Sequence, residues 1–149
     1  MPIHEYKVSV SWQGGKDGSG RLEAPESGES FDLAVPAEFG GPGGATNPEE
    51  LLTSAIASCY SITLGIIATN RKLPIESIHV DAVGQVEQQG AAFTYKAVSI
   101  RPTVTLSSTA TPEQISQATD MAMKADHYCI ITNAVRGKVE VTVEPNVVQ

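Results

Sequence analysis

Apolar and polar residues alternate through the first part of the chain. Tyr6, Val8, Val10 and Trp12 interleave with Lys7, Ser9 and Ser11, the period-two pattern that predicts a strand with one buried face. Gly14-Gly15-Lys16-Asp17-Gly18-Ser19-Gly20 reads as a turn, and Arg21–Glu23 and Phe31–Val35 as shorter strands. Phe39 to Thr46 is too rich in glycine and proline for regular structure.

At Asn47 the period changes. Asn47 is an N-cap residue type, Pro48 suits the first helical position and Glu50 falls where a capping box needs it. The predicted helix runs from Glu49 to about Asn70. Leu52, Ala55, Cys59, Ile62 and Ile66 follow helical spacing, while Leu51, Ile56, Tyr60, Leu64 and Ile67 fill the neighbouring faces. A helix apolar nearly all round must be covered on every side. One sheet covers one face, so a second chain is predicted to cover the rest.

Alternation returns at Ile78, Val80 and Ala82, turns at Gln88-Gln89-Gly90, and continues through Phe93, Tyr95, Val98, Ile100 and Val104. Its phase slips between Ala97 and Val98, which predicts a bulge, and Pro102 predicts an edge position. Thr111-Pro112-Glu113-Gln114 is a second capping box. It starts a helix through about Ala125, with Ile115, Ala118, Ala122 and Ala125 inward. Asp126–Cys129 breaks that helix, a short helical turn reaches Val135, and Val139, Val141 and Val143 form a last strand with Lys138, Glu140 and Thr142 outward. The predicted class is α+β, in a single domain over residues 1–149, without internal repeats.

Composition narrows the function. At 149 residues the chain is the size of one domain. Ten Lys and Arg against 17 Asp and Glu give a net charge of -7, which argues against nucleic acid or an anionic membrane as the main partner. No uninterrupted apolar run reaches the ~18–20 residues of a membrane span. Met1 to Tyr6 shows no charged-then-apolar signal pattern, so a cytoplasmic location is expected. The only cysteines are Cys59 and Cys129. In a reducing cytosol two such residues are either buried small hydrophobes or a working redox pair.

The stretch Gly40-Gly41-Pro42-Gly43-Gly44-Ala45-Thr46-Asn47-Pro48-Glu49 leads into the helix that carries Cys59, ten positions past Glu49. Cys129 is followed seven positions later by Arg136-Gly137 and a valine-alternating strand, and Gly14-Gly15-Lys16-Asp17-Gly18 follows the first strand. In order and spacing these three blocks resemble the organic hydroperoxide resistance proteins, within the wider family of the osmotically induced protein C. The resemblance covers nearly the whole chain. It implies antiparallel sheets wrapped around long central helices in an intertwined homodimer.

For activity, the resemblance implies a peroxidase that reduces organic hydroperoxides by thiol chemistry, with no metal, haem or other cofactor. Cys59 would be the attacking thiolate and become a sulfenic acid. Cys129 would condense with it to a disulfide before irreversible over-oxidation. A lipoyl-type dithiol would re-reduce that disulfide by exchange.

The residues themselves set conditions on this chemistry. A nucleophilic thiolate needs a nearby cation or a helix N-terminus. Cys59 lies about three turns into its own helix, beyond the reach of that helix's terminal dipole, so a cation from elsewhere is expected. The family has arginine in the first glycine-rich turn where this chain has Lys16, and Arg21 is the nearest arginine; both remain candidates. Lysine lacks the planar bidentate pairing of arginine. Glu49 is the family's partner for that cation, and taken alone is also a favourable charge in a helix's first turn. Ten helical residues span about 15 Å, so Glu49 and Cys59 of one straight helix cannot share a contact, which again asks for a second chain. Cys129 precedes Ile130, where the family usually has proline.

Other features carry less. His4, His79 and His127 have no metal-site spacing, and the Gly40–Gly44 loop lacks the Gly-Lys-Ser/Thr ending of a phosphate loop. Ile56, Tyr60 and Ile62 are expected to be mostly core, with some walling a pocket for the organic part of the hydroperoxide. Two other function classes compete. One is a thiol hydrolase or acyl-transfer enzyme using Cys59 with His127 as base. The other is a non-catalytic dimer that binds an apolar ligand or senses oxidation.

Overall fold

A computed structural model describes the whole chain, Met1–Gln149. The residues gather into two compact units, Met1–Leu51 and Leu52–Gln149.

The first unit holds a three-stranded antiparallel meander, β1 (Ser9–Gln13), β2 (Ser19–Ala24) and β3 (Glu29–Leu33), in that order. The predicted strands are there with shifted ends: β1 starts at Ser9 rather than Tyr6, and β3 stops before Val35. The expected buried face of β1 is absent. Val10 and Trp12 are 57% and 43% exposed, because the alternating side chains find no cover within the single chain. The Trp12 ring instead lies over Gly20, directly opposite on β2, where a Cβ would sit 2.6 Å from the ring. After β3 the glycine-rich segment folds back on itself: Gly41 donates to the Pro36 carbonyl and Gly43 to that of Val35.

Helix α1 (Pro48–Asn70) starts as predicted, with the Asn47 side chain accepting from the Glu50 N–H at 2.9 Å. The box is only half formed, because the Glu50 carboxylate accepts from the Thr46 hydroxyl at 2.9 Å. The helix is long and apolar enough to cross a membrane, by length and composition alone. This corrects the expectation drawn from uninterrupted runs: serines and threonines break the run without adding charge. Its stripe Ile56, Tyr60, Leu64 and Ala68, spaced every four residues, is nonetheless buried against protein.

In the second unit that stripe packs on Val98, Ile100, Val104 and Leu106 of β5 (Ala92–Leu106) and on Ala118, Met121 and Ala122 of α2 (Pro112–Lys124). α2 carries the complete Thr111–Gln114 capping box. β5 pairs antiparallel with β4 (Ile75–Gln89) along its length. The expected bulge falls at Lys96, which the register skips between Ala97↔Gln85 and Tyr95↔Val86, one residue earlier than the phase slip indicated. At Gly84 a side chain would strike the Thr53 and Tyr95 hydroxyls, which bond each other at 2.7 Å. The missing Cβ therefore lets α1 come close to β4.

Two expectations about this sheet are corrected. It is mixed rather than antiparallel: β6 (Glu140–Val143) and β7 (Asn146–Val148) both pair parallel with β5, since the chain returns through a helical crossover. Pro102 is not at an edge. β5 is central, and Pro102 lies between its pairing with β6, which ends at Ile100, and its pairing with β7, which starts at Thr103. The Ile100 carbonyl accepts from Glu144 on that side. Pro102, two residues on, turns its hydrogen-free nitrogen to the same side, where no strand asks for a donor.

Candidate active site

The 3-10 turn Ala125–Tyr128 ends the α2 segment and delivers Cys129 in an extended conformation (φ -80°, ψ 118°) to the start of α3 (Ile130–Val135). The Cys129 sulfur caps α3, accepting from the Thr132 N–H at 3.4 Å, the role that a serine or asparagine oxygen plays at other N-caps. Cys129 is fully buried and Cys59 half-buried. The two free thiols, 70 positions apart in sequence, come close enough for each to shift the other's acidity.

The turn that holds Cys129 is braced on both sides by Arg136. Its Nη2 donates to the Asp126 carbonyl at 3.1 Å and stands 3.6 Å from the Asp126 carboxylate, while Nε donates to Asn133 Oδ1 at 3.1 Å. Asn133 in turn donates to the His127 carbonyl at 3.0 Å, and the Cys129 N–H to that of Asp126 at 3.3 Å. Asp126 is only 5% exposed, so its charge depends on that guanidinium. Asp126, Asn133 and Arg136 are functional candidates that sequence reasoning did not assign. The Arg136-Gly137 motif was the visible signal, but its target lies ten residues upstream.

The environment drives the two sulfurs apart in acidity. Burial pushes the Cys59 thiol up, but the combined hydrogen bonds from the Cys129 thiol, the Ile131 N–H, the Thr63 hydroxyl and the Ile130 N–H outweigh it, and its pKa falls below the ordinary thiol value. The Thr63 oxygen is 4.0 Å from the sulfur. Cys129 moves the other way: burial and the hydrogen bond to Cys59 both raise it, against smaller lowering by Thr132. Of the two, Cys59 is the more acidic thiol and Cys129 the less acidic. The cation expected for Cys59 is not among its hydrogen-bonding partners. Backbone N–H groups of the first turn of α3 serve instead, each carrying partial positive charge; the argument from the dipole of α1 considered the wrong helix.

The remaining predicted residues lie in the first unit. Arg21 is committed across the β2–β3 pair: Nη1 meets Asp32 Oδ1 at 2.7 Å and Nη2 donates to Ser30 Oγ at 2.7 Å. Lys16 is exposed in the glycine-rich turn, its ammonium beside Gly40, and no ion pair holds it. Glu49 is half-buried in the first turn of α1. Ile56 and Tyr60 do not wall a pocket. Both are fully buried in the core, and burial with the nearby Asp126 charge pushes the Tyr60 phenol far above its usual value. Ile62, at 64% exposed, remains accessible. His127 is exposed and faces Asp126 at 4.0 Å, with no hydrogen bond from its ring to either sulfur. No group of three His, Cys, Asp or Glu side chains is placed to hold a metal.

A mixed sheet backed by a long apolar helix, with two thiols brought together where a second helix begins, defines an OsmC-like protein. The OsmC-like family model matches residues 41–144, and the chain belongs to that family. It is 33% identical over 147 residues to the uncharacterized protein YmaD of Bacillus subtilis, covering 99% of this chain and 97% of that one. It is 27% identical over 143 residues to organic hydroperoxide resistance protein-like 2 of Staphylococcus epidermidis, covering 93% and 94%. Among solved structures, an organic hydroperoxide resistance protein OsmC from Legionella pneumophila superposes with a TM-score of 0.75 at 26% identity, over 97% of this chain and 100% of that one.

Proposed function

We propose that the protein defends against peroxide stress as a thiol-dependent peroxidase that reduces organic hydroperoxides to alcohols. The closeness of Cys59 and Cys129, with acidities shifted in opposite directions, carries this reading. The Cys59 thiolate attacks the terminal peroxide oxygen; the O–O bond breaks, Cys59 becomes a sulfenic acid, and the alkoxide leaves and takes a proton to become the alcohol. Cys129 then attacks the Cys59 sulfur, forming the disulfide as hydroxide departs with the proton from Cys129 as water. A lipoyl-type dithiol restores both thiols by exchange and is itself oxidised to a disulfide. The chemistry fits a cytoplasmic, reducing setting.

The reading extends to a homodimer, supported by Ile62 and Ile66 on α1, which stay 64% and 56% exposed although the helix is apolar all round. In that assembly Glu49 of one chain and a cation would meet Cys59 of the other. Lys16 suits that part better than Arg21, whose guanidinium Asp32 and Ser30 already occupy.

One equivalent of cumene hydroperoxide added to the reduced protein tests the reading. Intact-mass spectrometry is expected to show the loss of two hydrogens, and peptide mapping a Cys59–Cys129 bridge. Thiols that remain reduced at neutral pH would overturn it.

A further inference from the structure

Thr132 is fully buried, and its hydroxyl reaches no partner with hydrogen-bond geometry. Orphaned buried hydroxyls are rare because burial strips their water without repayment, and each asks for a reason. Its one polar neighbour is the Cys129 sulfur, whose pKa it lowers slightly, and the backbone N–H of the same residue donates to that sulfur at 3.4 Å. In the resting protein burial and Cys59 both hold the Cys129 pKa up, so its sulfur draws only weakly on the hydroxyl.

The need for a donor arises later in the proposed cycle, on which this inference rests. Once Cys59 is a sulfenic acid, it is no longer the anion that Cys129 donates to. Cys129 must lose its proton and attack: the S–S bond forms, the S–O bond of the sulfenic acid breaks, and hydroxide leaves with the proton from Cys129 as water. The sulfur that attacks is a buried anion, and a buried anion needs donors. We infer that the Thr132 hydroxyl is a catalytic group of the resolving step, held against the Cys129 sulfur with no oxygen or nitrogen partner to compete, so that it can donate, with its own N–H, to the Cys129 thiolate. The titratable group that acts on this sulfur is Cys59; Asp126 and His127 stand on the preceding turn, and Arg136 follows α3. The one fixed positive charge among them, Arg136, is engaged with Asp126.

Thr132→Val keeps shape and backbone donor and deletes the hydroxyl; Thr132→Ser keeps the hydroxyl. After rapid mixing with cumene hydroperoxide, the Val variant is expected to form the Cys59 sulfenic acid, trapped by dimedone, and then to close the disulfide roughly tenfold more slowly. The Ser variant should close at close to the wild-type rate. In a Cys59→Ser background, which needs no peroxide chemistry, thiolate absorbance at 240 nm should titrate about one pH unit higher with Val than with Thr at 132. Because the hydroxyl has no oxygen or nitrogen partner to lose, the Val variant should melt close to the wild-type temperature, which keeps misfolding from imitating the result. A Val variant that closes as fast as wild type, or an unchanged Cys129 titration, overturns the role of Thr132 and leaves the peroxidase reading standing. A wild-type protein that forms no sulfenic acid overturns both.

Discussion

Four donors converge on the Cys59 sulfur, and none is a charged side chain. Two are backbone N–H groups, so their presence depends on residue 130 or 131 not being proline. The resemblance read from the sequence puts proline at 130; here Ile130 supplies an N–H that proline would lack. The substitution Ile130→Pro is compatible with the backbone, since the position opens α3 and Cys129 before it is already extended. The variant should fold and lose one donor. Cys59 is a group whose folded pKa is lowered, so its thiolate is favoured from below the free-thiol value upward and is lost as pH falls through the folded pKa. The rate of hydroperoxide consumption should therefore rise with pH and level off at a lower pH than it would for an unperturbed thiol. Ile130→Pro should move that plateau to higher pH, measured by stopped-flow across a pH series; an unmoved profile would deny the N–H its role. The family resemblance singled out both cysteines. Their donors were not, because a backbone N–H has no sequence signature and the contact spans 70 residues.

Local signals placed most elements well and failed where the answer lay in a distant partner. Capping chemistry located the start of α2 to the residue and that of α1 to within one, since both ends of each cap lie within four positions. Pro102 was misread because its tolerance depends on where β6 stops and β7 begins, some forty residues later. The brace around Cys129 is of the same kind: Arg136 serves Asp126 across a turn and a helix. Truncation by Arg136→Ala leaves the nearly buried Asp126 carboxylate without its cation and frees two carbonyl contacts. Removing one partner of a buried pair costs about 3–5 kcal/mol, and the partial exposure of Arg136 lowers the expected loss to about 2 kcal/mol. Urea denaturation of the reduced protein would measure it, and a change below about 0.5 kcal/mol would mean that the turn holds itself without Arg136.

Within one chain, the apolar surface does not close. Val10, Trp12 and Phe31 of the meander, Ile62 and Ile66 of α1, and Tyr128 and Ile130 around the thiol turn all stay more than two-fifths exposed. The sequence anticipated this for α1, whose apolar residues outnumber the positions one sheet can cover, but predicted a buried face for β1 that a lone chain does not provide. Burying a side chain such as isoleucine contributes about 1.5–3 kcal/mol, so several uncovered together favour association strongly. In a two-fold dimer each exposed isoleucine of α1 counts twice, because the same patch faces itself. The double substitution Ile62→Asp with Ile66→Asp places four carboxylates in that interface while touching none of the buried stripe Ile56, Tyr60, Leu64 and Ala68. Light scattering should then find wild type at twice the 15.7 kDa chain mass and the double variant at the single-chain mass, its helical circular dichroism retained. If Glu49 and Lys16 serve Cys59 across chains, the monomer should also consume hydroperoxide more slowly. A variant that stays dimeric would move the interface off this face of α1.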